Sequence, residues 1–110
     1  MRITQVPKEG WPDGDTVPLA VLPFEPAELA DVSFTLELDG LGEFYYAVVE
    51  VRGYRFGLVR HLDSPRAGIG VYVVTASVPS LAEAVEVLAD GLGIGTTDLT
   101  WVTPLLGSAP

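Results

Sequence analysis

The chain has 110 residues, 48% of them hydrophobic, and contains no cysteine. That size and apolar content suffice to bury one core without metals or crosslinks, and the missing thiol excludes disulfide frameworks, thiolate zinc sites and cysteine nucleophiles. A formal net charge of −9 and a pI near 4.2 repel phosphate backbones and anionic lipid, so neither nucleic acid nor membrane is expected as a partner, whereas a more basic protein is.

The opening Met1 to Pro7 lacks the apolar stretch of a signal peptide, and no run approaches the roughly 20 apolar residues that cross a bilayer. The location this implies is cytoplasmic. Residues 1–31 carry Pro7, Pro12, Pro18, Pro23 and Pro26, which oppose long helices and central strands. Yet Trp11, Val17, Leu19, Val21, Leu22, Phe24 and Leu29 give the segment too much apolar surface for a disordered leader. It is expected to dock on the body as an arm, with a strand near Val17 to Leu22 and a helical turn at Pro26 to Ala30.

From Ser33 to Leu38 polar and apolar residues alternate with the period of a half-buried strand, which places Phe34, Leu36 and Leu38 inward. Asp39-Gly40-Leu41-Gly42 supplies a turn, and Phe44 to Val49 opens a strand rich in aromatic and β-branched residues. A two-residue loop at Arg52-Gly53 pairs Val51 with Tyr54, Glu50 with Arg55, Val49 with Phe56, Ala47 with Leu58 and Phe44 with His61. This register sets Glu50 beside Arg55 as a cross-strand ion pair and gathers the apolar residues on one face. Arginine suits the first position of such a turn poorly, so a three-residue loop with Gly53 in a bulge is the alternative.

Ile69 to Thr75 reads as a further strand. Ser80 and Glu83 form a capping box at the start of an amphipathic helix whose Leu81, Val85, Leu88, Ala89 and Leu92 recur at three- and four-residue steps. Gly91 or Gly93 ends it, and Asp98 to Thr103 suggests a last short strand. The fold class is therefore α+β: an antiparallel β-meander of four to five strands with one helix from the C-terminal half packed on one face, in the order ββββαβ, behind a proline-rich N-terminal arm. A single domain is expected over 1–110, with the docked arm at 1–31, the meander, helix and final strand at 32–103, and a flexible tail at 104–110. One helix of about 18 Å cannot cover both faces of a sheet about 20 Å wide. The arm or another molecule must cover the second face, which makes a homodimer one way to complete the structure.

Arg52, Arg55, Arg60 and Arg66 give the stretch from 52 to 66 a net charge of +3 once Asp63 is subtracted, leaving −12 for the rest. Arg60, His61, Asp63 and Arg66, with a tyrosine such as Tyr45 or Tyr72 nearby, are the candidate ligand-binding residues, since guanidinium groups suit carboxylate or phosphate. The competing reading is that the arginines neutralise neighbouring acids. His61 is the sole histidine, and although Asp63 and Ser64 flank it, three triad members within four positions of one loop rarely converge. No catalytic residue is assigned, and neither a cofactor nor a metal is expected. Asp13-Gly14-Asp15 lacks the later ligands of a calcium loop, and Gly91-Leu92-Gly93-Ile94-Gly95 follows a helix and lacks the lysine of a phosphate loop.

Two functions fit. The first is a small acidic, non-enzymatic interaction module of the adaptor, inhibitor or immunity/antitoxin kind, binding a protein partner through a sheet face or edge. The second is a small-anion ligand-binding or enzymatic domain centred on Arg60, His61, Asp63 and Arg66.

Overall fold

The computed structural model describes residues 2–40 and 42–104. The tail expected at 104–110 lies outside them from residue 105 onward. The arm supplies β1 (Thr4–Val6) and β2 (Thr16–Leu22), with 3-10 turns at Lys8–Gly10 and at Pro26–Glu28, the latter within the turn expected at Pro26 to Ala30. The meander follows as β3 (Thr35–Asp39), β4 (Gly42–Val51), β5 (Tyr54–His61) and β6 (Ile69–Val74), each antiparallel to the next. Helix α1 (Leu81–Leu92) and the short β7 (Trp101–Val102) complete the α+β fold.

Among the described residues the sheet has seven strands, more than the four or five of the expected meander, because the arm enters it twice. β1 pairs with β4, and β2 inserts between β6 and β7. Proline conceals β1, whereas β2 is the strand expected near Val17 to Leu22, and what the sequence leaves open is its place within the sheet. Pro7 directly follows β1, and Pro18 lies at the register shift of β2, where β7, paired only with Ala20 and Val21, does not reach. A missing backbone donor is tolerated at such positions.

The β4–β5 hairpin has the predicted register throughout. Arg52 and Gly53 have φ of 50° and 84°, the positive pair that a type I′ turn requires. The Arg55 Nε lies 3.2 Å from a Glu50 carboxylate oxygen. On one face Ala47, Val49, Val51, Phe56, Leu58, Val71 and Val73 are buried with Ala84, Val85, Leu88 and Leu92 of α1. Full burial of a side chain such as Leu88 stabilises by about 1.5–3 kcal/mol.

Helix α1 starts at Ser80, whose hydroxyl accepts from the Glu83 N–H at 3.1 Å. The Glu83 carboxylate instead accepts from the Tyr54 hydroxyl at 2.7 Å, so the capping box is one-sided and its second half ties the helix to the sheet. Gly91 lies inside the helix, at a position where a Cβ would meet both Val51 methyls at 2.7 Å. Gly93, with φ of 74°, ends the helix. Asp90 is unfavourably placed near the C-terminal end of the helix dipole, and Arg2 and Arg52 offset it at 3.0 and 3.2 Å.

Leu36 and Leu38 do not point into the core as their alternation suggests. They are 50% and 75% exposed, because α1 packs chiefly on β2, β4 and β5 and leaves β3 uncovered. Phe34, just before β3, does pack against the core. No helix among the described residues is long and apolar enough to cross a membrane.

Candidate functional site

The face opposite α1 carries the open ground of the molecule. By strand alternation it displays Phe44 and Tyr46 of β4, Gly57, Val59 and His61 of β5, Gly70 and Tyr72 of β6, and Val21 of β2 beside Trp101 of β7. The arm covers part of it. Trp11 lies across Gly57, where an added Cβ would sit 3.2 Å from its ring, and its indole N–H donates to the Thr16 hydroxyl at 3.3 Å. The remainder forms two adjoining depressions that share Val59, His61 and Tyr72. One is a groove of about 240 Å³ beside Trp11, Phe44 and Tyr46. The other is a cleft of about 780 Å³ reaching Val21, Phe24 and Trp101.

The end of β5 and the charged loop after it form one wall of the larger cleft, through Arg60 and His61 of the strand and Ser64 and Arg66 of the loop. Arg60 is committed within the protein. Its Nε lies 3.2 and 3.3 Å from the two Glu25 carboxylate oxygens, and a terminal nitrogen donates to the His61 carbonyl at 2.7 Å. Glu25 also accepts the Gly68 N–H at 2.8 Å. Gly68 is required there, since its φ is +100° and a Cβ would meet the Leu22 carbonyl oxygen at 2.4 Å. The Arg60–Glu25–Gly68 set thus staples the arm to the end of β5 and to the loop before β6.

His61 finds its acid outside its own loop. Its Nε2 lies 3.2 Å from Asp39 Oδ2, and its ring is tilted 36° against Phe44 at 5.2 Å between centroids. Ser64 is occupied in a local turn, its hydroxyl accepting from the Arg66 N–H and its own N–H donating to the His61 carbonyl, both at 3.3 Å. Asp63 does not line the cleft and approaches Gly42 instead. Tyr45 pairs with Arg60 and stands outside the cleft lining, whereas Tyr72 is part of it. Asp39 is the residue that reading the loop alone misses. The β3–β4 turn combined with the Phe44 to His61 pairing contains the signal, because together they bring Asp39 to the His61 end of the sheet.

Of the four clustered arginines, three are engaged: Arg52 with Asp90, Arg55 with Glu50 and the Gly10 carbonyl, and Arg60 with Glu25. The Arg66 guanidinium enters no hydrogen bond or ion pair with the described residues, and it lies in the cleft wall. Across the sheet, Lys8 and Glu37 pair at 2.8 Å. That hydrogen bond raises the lysine above its usual pKa. Burial, and secondarily Glu37, raises Tyr46. No group of three or more metal-ligating side chains is present among the described residues.

No family model, curated protein or solved structure matches the chain.

The second distinctive surface is an edge. Among the described residues β3 pairs with β4 alone, and its five residues include no proline or lysine of the kind that blunts exposed edges. Leu36 and Leu38 project from it to one side, and Glu37, Asp39 and Glu43 make its surroundings acidic.

Proposed function

We propose that the protein is a non-enzymatic interaction module that binds a basic protein partner by accepting an extended segment along the β3 edge. The observation that carries this reading is the pair of neighbouring exposed leucines, Leu36 and Leu38, on a strand that among the described residues pairs on one side only. An added strand takes its affinity from main-chain hydrogen bonds and its specificity from alternate side chains. Here the alternation asks for apolar residues against Leu36 and Leu38 and a basic residue that shares the Glu37 carboxylate with Lys8. A second copy of the chain suits this edge less well, since it would place Glu37 against Glu37 and join two molecules of net charge −9.

The test is capture from the protein's own organism with the wild-type chain and with the Leu36→Lys/Leu38→Lys variant. Support requires a basic protein held at equal stoichiometry by the wild type, released by added salt and lost by the variant. A partner that the variant retains, or a chain that associates only with itself, would overturn the proposal.

A further inference from the structure

The cleft on the face opposite α1 is separate from the β3 edge, and its chemistry points to a different kind of ligand. We infer that it binds a small organic monoanion with an apolar body, its carboxylate held by Arg66 and its body lying on Val59, Gly70, Tyr72, Val21 and Trp101. Three observations converge on this class.

The first is size and lining. About 780 Å³ lies within the usual range for small-molecule sites, which are largely apolar with a few placed polar groups. An inorganic ion would leave most of that space, and all of its aromatic wall, unused. The second is charge. The charged side chains of the lining are Glu25, Arg60 and Arg66, with His61 beside them. Glu25 and Arg60 neutralise each other, so Arg66 leaves a local positive charge inside a molecule of net −9. The repulsion from the more distant acids is screened beyond about 8–10 Å, while a carboxylate at Arg66 gains charge-assisted hydrogen bonds at contact. A dianion would bring a second charge with no second uncommitted guanidinium to meet it. The third is the floor. Gly70 exposes bare backbone between Val59 and Tyr72, and a Cβ there would make only ordinary contacts, at 3.5 Å. Side-chain bulk is therefore absent where the fold would admit it, which leaves room for a flat body on the sheet.

Calorimetric titration with hydrocinnamate and octanoate, followed in parallel by tryptophan fluorescence because Trp101 borders the cleft, tests the inference. Saturable binding of at least one acid is expected, with the neutral hydrocinnamamide and inorganic phosphate each at least about tenfold weaker. Arg66→Ala is expected to lower affinity for the acid at least about tenfold, and Gly70→Leu to abolish binding by filling the floor. Thermal unfolding of both variants confirms that they are folded. Failure of both acids to bind, equal binding of the amide or of phosphate, or affinity that survives both substitutions would overturn the inference. Because neither position lies on β3, this result is independent of the Leu36→Lys/Leu38→Lys experiment.

Discussion

Arg60, near the end of β5, and Arg66, in the loop that follows, sit six positions apart, and their structural environments assign them different jobs. Replacing Arg60 with Ala removes the ion pair to Glu25 and the bond to the His61 carbonyl. A hydrogen bond to a charged group contributes about 1.5–3 kcal/mol when well shielded. The Arg60 side chain is only 16% exposed, but Glu25 is 46% exposed, so solvent screening lowers the ion-pair part toward the surface value of at most about 1 kcal/mol. Glu25 also keeps its bond from Gly68 and is not left without a donor. Adding the lost packing of a mostly buried aliphatic stem, the expected cost is about 2 kcal/mol. For 110 residues at about 2.1 cal/mol/K of unfolding entropy per residue, that lowers Tm by about 9 °C. Arg66→Ala should stay within about 0.5 kcal/mol, or about 2 °C, because its guanidinium enters no hydrogen bond or ion pair with the described residues. Thermal and urea unfolding of both variants, with Glu25→Gln added to close a double-mutant cycle on Arg60, measure the difference. Equal shifts, a larger shift for Arg66, or zero coupling between Arg60 and Glu25 would refute the reasoning.

Gly68→Ala combines a left-handed backbone with a clash against the Leu22 carbonyl and should cost about 3 kcal/mol, read by urea unfolding. The hydrogen bond to Glu83, and then desolvation, raise the Tyr54 hydroxyl above its usual 10.0. Its stabilising contribution is therefore complete below that pH and is lost as pH rises through the folded-state value. Titration of tyrosinate absorbance should show two late-ionising phenols, Tyr54 and Tyr46, of which one is lost in Tyr54→Phe and shifts down in Glu83→Gln. No change in the late phase in either variant would contradict the Tyr54–Glu83 contact.

The parts of the fold that the sequence discloses are those where several local signals agree. At the β4–β5 hairpin, Gly53 at the turn, the Glu50 and Arg55 charges and the apolar alternation all select one register, and tolerance of φ 50° at Arg52 is what the composition alone argues against. Helix α1 is similarly plain from its cap and its period. Strand β1 is masked by the prolines around it, and although β2 shows in the sequence as a strand near Val17 to Leu22, the pairing of both depends on β4 and β6, far along the chain. The exposure of Leu36 and Leu38 is invisible for another reason: alternation tells which residues share a face, and only the reach of α1 tells whether that face is covered.

The charged loop is legible as a cluster but not in its division of labour. Arg52, Arg55 and Arg60 find their acids at Asp90, Glu50 and Glu25. Only Glu50 is close enough in register to be named from the sequence. The pairing of His61 with Asp39, 22 residues away, likewise depends on the placement of two turns at once. Tyr45 and Tyr72 are alike in composition, and strand alternation together with the extent of the cleft separates them.

Strand addition at β3 is tested most directly by amide hydrogen exchange of the chain alone and saturated with the basic protein it captures. Slowed exchange concentrated in Thr35 to Asp39, with the rest of the sheet little changed, is the expected result. Unchanged exchange in β3, with new protection confined to the opposite face or to α1, would contradict the edge as the binding surface.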